Sequence, residues 1–259
     1  MNFIFIRLNN LKKFLALSLA LAKAEFKLRN EGSYLGIFWY LLNPILTFSL
    51  LLLIFSKQLG SEITDYPLYL LTGIVTFNLF SQITTQATKV IKTNRWLIKS
   101  VKFPPESLVS GVTLTGLFSH LFEVFLLFIL AMAFQNNLTG FIFYPFLLLL
   151  FCIFIYGLSL ILAALSVHFA DLENIWIFFS RLVWFATPIF YTIDHQTILF
   201  KLNLFNPLYY FITLFRQVII YNQIPASFLA AGAISYTLIS LVIGQIIFNR
   251  LKPKFAEKI

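Results

Sequence analysis

The chain has 259 residues, of which 59% are apolar, 18% aromatic and 11% charged, with a mean hydropathy of +0.87. Soluble domains carry roughly 25% charged residues, so this composition excludes a soluble globular enzyme and a disordered chain. With Cys152 as its single cysteine, it also excludes a disulfide-stapled secreted domain. The excess of 19 Lys and Arg over 10 Asp and Glu does not mark a nucleic-acid binder, because the basic residues flank apolar runs instead of forming a soluble face. The composition is that of a polytopic membrane protein.

The N-terminal stretch admits two readings. Lys12-Lys13, the run Phe14 to Ala22 and the ending Ala20-Leu21-Ala22 have the form of a signal peptide with its cleavage site. At ~100° per residue, however, Lys12, Lys13, Lys23, Lys27 and Asn30 share one arc, and Leu8, Leu15, Leu19 and Phe26 lie on another side. That register predicts an amphipathic helix over 8–31, lying in the membrane interface.

A helix needs about 20 apolar residues to cross ~30 Å of hydrocarbon. Six segments qualify, at 32–56, 66–88, 107–134, 141–166, 174–191 and 226–248. The first is bounded by Glu31 and Lys57. The third holds Glu123, and the fifth is shorter and holds Arg181 and Pro188. Fifteen Lys and Arg flank the spans on the side of the termini, and only Lys57, Lys201 and Arg216 lie on the other. The positive-inside rule therefore predicts both termini in the cytoplasm.

In the loop between spans two and three, Lys89, Lys92, Arg95, Lys99 and Lys102 recur every three or four residues, which predicts one basic helical face. Phe103-Pro104-Pro105 ends it. Such a face fits either a loop that obeys the positive-inside rule or a docking helix for a cytoplasmic partner, and both readings stay open. The loop between spans four and five, His168 to Asn174, has no Lys or Arg. Asp171 is expected there as the cap of the next helix, with Glu173 in its first turn.

Glu123 and Arg181 are expected at different depths, about 24 and 12 Å in at 1.5 Å per residue. A direct pair between them is therefore disfavoured, and each is a candidate functional charge. Between spans five and six, Ile198 to Phe205 and Leu208 to Tyr221 are apolar but too short to span, and they hinge at Asn206-Pro207. This predicts two short re-entrant helices over 198–221, tolerated where protein or a water-filled cavity covers them. Among 32 Phe, 11 Tyr and 4 Trp, most serve interfacial belts. Trp39, Tyr40, Trp184, Phe185 and Tyr191 are candidates to line a path.

The chain has no G-x-x-x-x-G-K-[ST] phosphate loop. His120, His168 and His195 are not grouped as metal ligands. No paired carboxylates suggest hydrolysis; Glu62 and Asp65 are close in sequence but have no basic or histidine neighbour. No catalytic, metal or cofactor site is expected.

The segment from Arg29 through Pro44, with Leu35, Gly36, Trp39 and Pro44, resembles the opening signature of polysaccharide-exporting ABC type-2 permeases. The similarity continues at Tyr69-Leu70-Leu71-Thr72-Gly73, at Asn94-Arg95-Trp96-Leu97-Ile98-Lys99 with Phe103-Pro104, at Ala186 to Tyr191, and at Asn206-Pro207-Leu208 with Arg216. One departure is Ala170-Asp171, where that family usually has Arg-Asp.

The resemblance implies a non-enzymatic, all-α subunit of the bacterial inner membrane, forming a homodimer with two cytoplasmic ATP-binding subunits. ATP and magnesium would sit in those partners. The cargo would be a lipid-linked polysaccharide such as O-antigen, with capsule, teichoic acid or a small molecule as alternatives. The resemblance places Lys23, Lys27, Arg29, Lys92, Asn94, Arg95, Lys99 and Asp171 at the ATPase contact. It makes the short outer helices, with Asn206, Pro207 and Arg216, a gate above a continuous channel, for which Trp39, Tyr40, Trp184, Phe185 and Tyr191 remain the candidate wall residues whose rings could stack on sugars. Rival classes are a membrane enzyme acting on polyprenyl-linked sugars, which lacks its acid or histidine cluster here, and a secondary transporter, which lacks the paired halves it requires.

Overall fold

The computed structural model describes residues 2–31, 34–59, 63–101, 103–194 and 196–258, which are helical with short connections. Gly32, Glu62, Lys102, His195 and the side chains of Arg7 and Leu8 lie outside the described residues. In chain order the helices are α1 (Asn2–Asn30), α2 (Trp39–Leu59), α3 (Tyr66–Thr93), α4 (Arg95–Ser100), α5 (Glu106–Ala133) and α6 (Tyr144–Ser166). They continue as α7 (Leu172–Ala186), α8 (Ile198–Asn203), α9 (Pro207–Ile219), α10 (Ser227–Leu251) and α11 (Phe255–Lys258).

Local chemistry sets most of these boundaries. Pro67, Pro145 and Pro207 stand in the first turns of α3, α6 and α9, where a missing N–H costs nothing. Asn206 caps α9 by accepting from the Leu208 N–H at 3.1 Å, and Thr197 caps α8 by accepting from the Phe200 N–H at 3.3 Å. Asp171 occupies the cap position of α7 without a side-chain capping bond, so the expected cap is one of position only.

Among the described residues, five segments are long and apolar enough to cross a membrane: Gly36–Lys57, Tyr66–Thr93, Glu106–Ala133, Tyr144–Ser166 and Ser227–Lys258. The expected fifth span, 174–191, is not a single helix. α7 has 15 residues, about 22 Å at 1.5 Å per residue, and ends because Pro188 drives Thr187 out of the helical region, to φ −87° and ψ 138°. The chain nevertheless follows α3 along its whole length in the opposite direction. Lys92 meets Ala170, Lys89 meets Glu173, Thr84 meets Trp176, Ser81 meets Ser180, Phe77 meets Trp184, and Tyr66 meets Phe190.

α3 is the centre of the bundle: 78% of its apolar stretch is buried, against 6% for Gly36–Lys57. α6 and α10 make the closest helix pair. A Cβ on Gly157 would lie 2.5 Å from the Ser240 carbonyl carbon, and one on Gly244 would overlap the Gly157 carbonyl oxygen. Ser240 Oγ then donates to the Phe154 carbonyl oxygen at 3.2 Å. Small residues and a hydroxyl here let the two backbones touch, which supplies the dispersion that apolar solvent cannot.

α1 meets the bundle through a narrow seam. Ser18 and Ala22 are buried against Gly111 of α5, and Thr115 Oγ1 donates to the Ala22 carbonyl oxygen at 3.3 Å. Leu15 and Leu19, expected on the apolar face, remain exposed to the outside of the bundle. The basic stretch 89–102 is not one helical face. Asn94, at φ −97° and ψ 24°, ends α3, and its Nδ2 bonds to the Val90 carbonyl oxygen at 2.8 Å. Lys89 and Lys92 therefore belong to α3 and Arg95 and Lys99 to α4.

Candidate functional site

At the basic end, the α3 terminus, α4, the loop before α7 and the C-terminal residues meet. Lys89 pairs with Glu173 at 2.8 Å, and Lys92 donates to the Ala170 carbonyl oxygen at 3.4 Å. Asn94 is used in the helix end. Lys252 pairs with the buried Glu106 at 2.7 Å, and Phe255 packs its ring 5.4 Å from Phe248, so the C-terminal turn is folded down beside α4. Arg29 pairs within α1 to Glu25, and Lys27 pairs with Glu31 just after it. Lys23, Arg95, Lys99 and Asp171 are exposed and carry no ion pair or hydrogen bond among the described residues. Trp96, 73% exposed, stands between Arg95 and the rest of α4.

At the opposite end a second cluster assembles from three distant segments. Arg216 of α9 is only 3% exposed. Its Nη1 donates to the Pro188 carbonyl oxygen at 2.7 Å, its Nη2 to that of Ile189 at 2.7 Å, and its Nε and Nη2 to that of Tyr69 at 3.2 and 3.1 Å. The guanidinium also lies over the Tyr69 ring. Gly73 makes this possible, since a Cβ there would sit 2.7 Å from Nη2. Tyr69 and Tyr66 donate to the Tyr191 and Phe190 carbonyl oxygens at 2.8 and 3.1 Å. Asn206 Nδ2 bonds to Thr187 Oγ1 at 2.8 Å. Arg216, expected along the channel and its outer gate, is a buried clamp that ties α9 and the extended stretch after α7 to the start of α3.

The aromatic candidates do not share one surface. Tyr40 stacks between Phe26 and Phe122. Trp184 packs edge-on against Phe77 at 4.7 Å, and Tyr191 donates to the Phe185 carbonyl oxygen at 2.9 Å. Trp39 and Phe185 are exposed.

At mid-length, Glu123 and Arg181 do not meet. Glu123 is held by His120 Nδ1 at 3.0 Å and Asn78 Nδ2 at 3.1 Å, and His120 Nε2 lies 2.7 Å from the Tyr144 hydroxyl. His120 and Tyr144 were not singled out from the sequence. The three-residue spacing of His120 and Glu123 on one helix was the available signal. Arg181 is exposed and opens into a cavity of about 500 Å³ with Phe77, Ser81, Thr85, Ile177, Ser180, Trp184 and Phe185.

A further feature sits on α3 itself. From Tyr69 to Lys92 every position that is not buried is polar: Asn78, Ser81, Gln82, Thr85, Gln86, Lys89 and Lys92. The apolar side chains of this stretch are buried. A membrane-length helix with such an accessible face is unsuited to lipid and suited to water or to another polar surface.

The sequence pattern of the family described as ABC-2 type transporter matches residues 17–220. The chain is 29% identical over 255 residues to the O-antigen export system permease protein RfbA of Myxococcus xanthus, covering 96% of this chain and 97% of the relative. It is 27% identical over 251 residues to a protein of the same name from Klebsiella pneumoniae, covering 96% of each. To the polysialic acid transport protein KpsM of Escherichia coli it is 24% identical over 242 residues, covering 89% of this chain and 91% of the relative.

Proposed function

The chain belongs to the ABC-2 type transporter family, and from that premise we propose that it is the transmembrane subunit of an ATP-driven exporter that moves a lipid-linked polysaccharide, of the O-antigen class, across the bacterial inner membrane. The observation that carries this reading is the polar accessible face of α3 from Asn78 to Lys92. A polar stripe at membrane depth needs water or a second polar stripe opposite it. A second copy of the chain placed against this face would complete a conduit, with Trp184 and Phe185 on its wall. Repeated weak contacts of sugar rings with such aromatics would let a long glycan slide without being trapped.

The return of residues 170–191 along all of α3 supports a sixth crossing made of α7 and the extended stretch after it, and hence both termini in the cytoplasm, in agreement with the charge asymmetry. α8 and α9, tied down by Arg216, would then cap the outer end. The basic end would be the ATPase contact. Arg95, Lys99 and Lys23 offer unpaired cations there, with Trp96 as an apolar anchor. ATP and magnesium would be held by the partner subunit, and this chain would hydrolyse nothing itself. The other polar residues that the family resemblance assigns to this contact, the cations Lys27, Arg29 and Lys92 and the amide Asn94, would act by holding its shape, because each is already bonded within the chain.

The test is purification of the tagged full-length chain in mild detergent, followed by an ATPase assay. A co-purifying ATP-binding subunit whose activity changes with lipid-linked O-antigen, and not with lipid-linked capsule, supports the reading. A chain that purifies alone and acquires no ATPase activity overturns it.

A further inference from the structure

Resting on the exporter reading, we propose that Arg181 and the hydroxyls around it form a binding site for the phosphate group that joins the glycan to its lipid anchor. The site lies within the membrane on the side of the basic end. Arg181 is eight residues along α7 from Glu173, whose pairing with Lys89 marks that end, so it stands about 12 Å inside at 1.5 Å per residue. A guanidinium at that depth normally faces a bundle interior, a counter-ion or an aqueous path. Here it is exposed and has no ion pair or hydrogen bond among the described residues. The acid at membrane depth that could have neutralised it, Glu123, is occupied by His120 and Asn78.

What surrounds Arg181 is a site of mixed character. Ser81, Thr85 and Ser180 line the same cavity of about 500 Å³. Ser180 Oγ lies 3.3 Å from Ser81 Oγ and donates to it, which leaves the Ser81 proton free to point into the cavity. A planar guanidinium with hydroxyl donors beside it matches the oxygens of a phosphate or diphosphate, which a forked donor grips at two points. The other walls, Trp184 and Phe185, are apolar and aromatic. They suit the lipid and sugar on either side of that group. Lys92 at the mouth of the stripe, whose contact within the chain is to a neutral carbonyl, sets a positive potential that draws an anionic head inward.

The experiment uses the full-length chain in phosphatidylethanolamine nanodiscs, with three probes: a fluorescent C55 polyprenyl pyrophosphate, the uncharged C55 polyprenol, and phosphatidylglycerol as competitor. The wild type is expected to bind the pyrophosphate about tenfold or more tighter than the alcohol, as a charge-assisted bidentate contact implies. Arg181→Gln should bring the two to parity, Arg181→Lys should keep part of the preference, and the Ser81→Ala, Thr85→Ala double variant should lose several-fold. Equal thermal midpoints for all variants show that each is folded.

An unchanged preference in Arg181→Gln overturns the proposal. Displacement by phosphatidylglycerol as effective as by unlabelled pyrophosphate also overturns it, by making this a bulk-lipid site. Loss of the dimer by light scattering, with binding unchanged, assigns Arg181 to a contact between copies instead. If the wild type itself binds no polyprenyl probe and the ATPase activity of its co-purifying partner ignores lipid-linked glycan, the exporter reading has failed; if that activity responds although no probe binds, only the phosphate site has failed. If the wild type binds and Arg181→Gln binds equally well, only the phosphate site has failed.

Discussion

The guanidinium carbon of Arg216 lies 3.3 Å from the centre of the Tyr69 ring, while two of its nitrogens bond to the carbonyl oxygen of that same residue. The contact joins positions 147 apart in sequence. It closes one end of the bundle, because the same guanidinium also holds the Pro188 and Ile189 carbonyl oxygens. The charge is satisfied by backbone dipoles and a ring face, with no acid paired to it among the described residues.

Arg216→Ala should destabilise the protein by about 3 kcal/mol, since three buried carbonyls lose a charged donor together. Arg216→Lys should recover only part of this, because a point charge cannot reach all three oxygens and cannot stack. Thermal unfolding in detergent reads both, and an unshifted midpoint for Arg216→Ala would show that the clamp is not a stabilising element.

Gly73→Ala should reproduce much of the Arg216→Ala phenotype without touching the arginine. The added methyl would sit 2.7 Å from Nη2 and 3.0 Å from the Ile189 carbonyl oxygen, so the side chain must leave its place. The double variant Gly73→Ala, Arg216→Ala should be no worse than the single arginine variant. Fully additive losses in that cycle would separate the two residues.

Tyr144→Phe should lower stability by about 1–2 kcal/mol, because His120 Nε2 is then buried without a partner. Glu123→Gln should be milder, since the amide can still bond to Asn78 and His120. Chemical denaturation of the two variants side by side checks the order, and a larger loss in Glu123→Gln would mean that the carboxylate charge itself matters.

Arg95→Glu with Lys99→Glu should abolish export in cells while leaving membrane insertion intact, since neither residue has a partner among the described residues. Lys252→Glu should weaken export by another route, by expelling the C-terminal turn from Glu106. Glu106→Lys should rescue Lys252→Glu but not the Arg95, Lys99 variant. Surface display of the glycan is the readout, and normal display by the Arg95, Lys99 variant would remove the docking role of α4.

The parts of the fold legible in the sequence are those set by neighbours in the chain. The apolar run from Tyr144 to Ser166 has the length to cross a bilayer whatever surrounds it. Asn206-Pro207 starts α9 through a cap and a fixed φ that need no tertiary partner. Glu123 and Arg181 were legible as unusual charges, and His120 three residues before Glu123 was legible but unread. The break at Asn94 escaped detection because the basic spacing continues across it unchanged. The end of α7 at Ala186 was foreshadowed by Pro188 alone.

By itself, the sequence determined that the chain is a helical membrane protein with one basic end, because hydropathy and charge add along the chain. Only the tertiary structure decided which charges are neutralised. Arg216, placed by sequence in a short outer helix, is buried because carbonyls from positions 69, 188 and 189 converge on it, and Arg181, inside an apolar run, is left open because none do among the described residues. It also decided that the uncovered face of α3 is its polar one. The free energy of a polar group in a membrane depends on what approaches it in space, and those neighbours come from segments that no local sum can bring together.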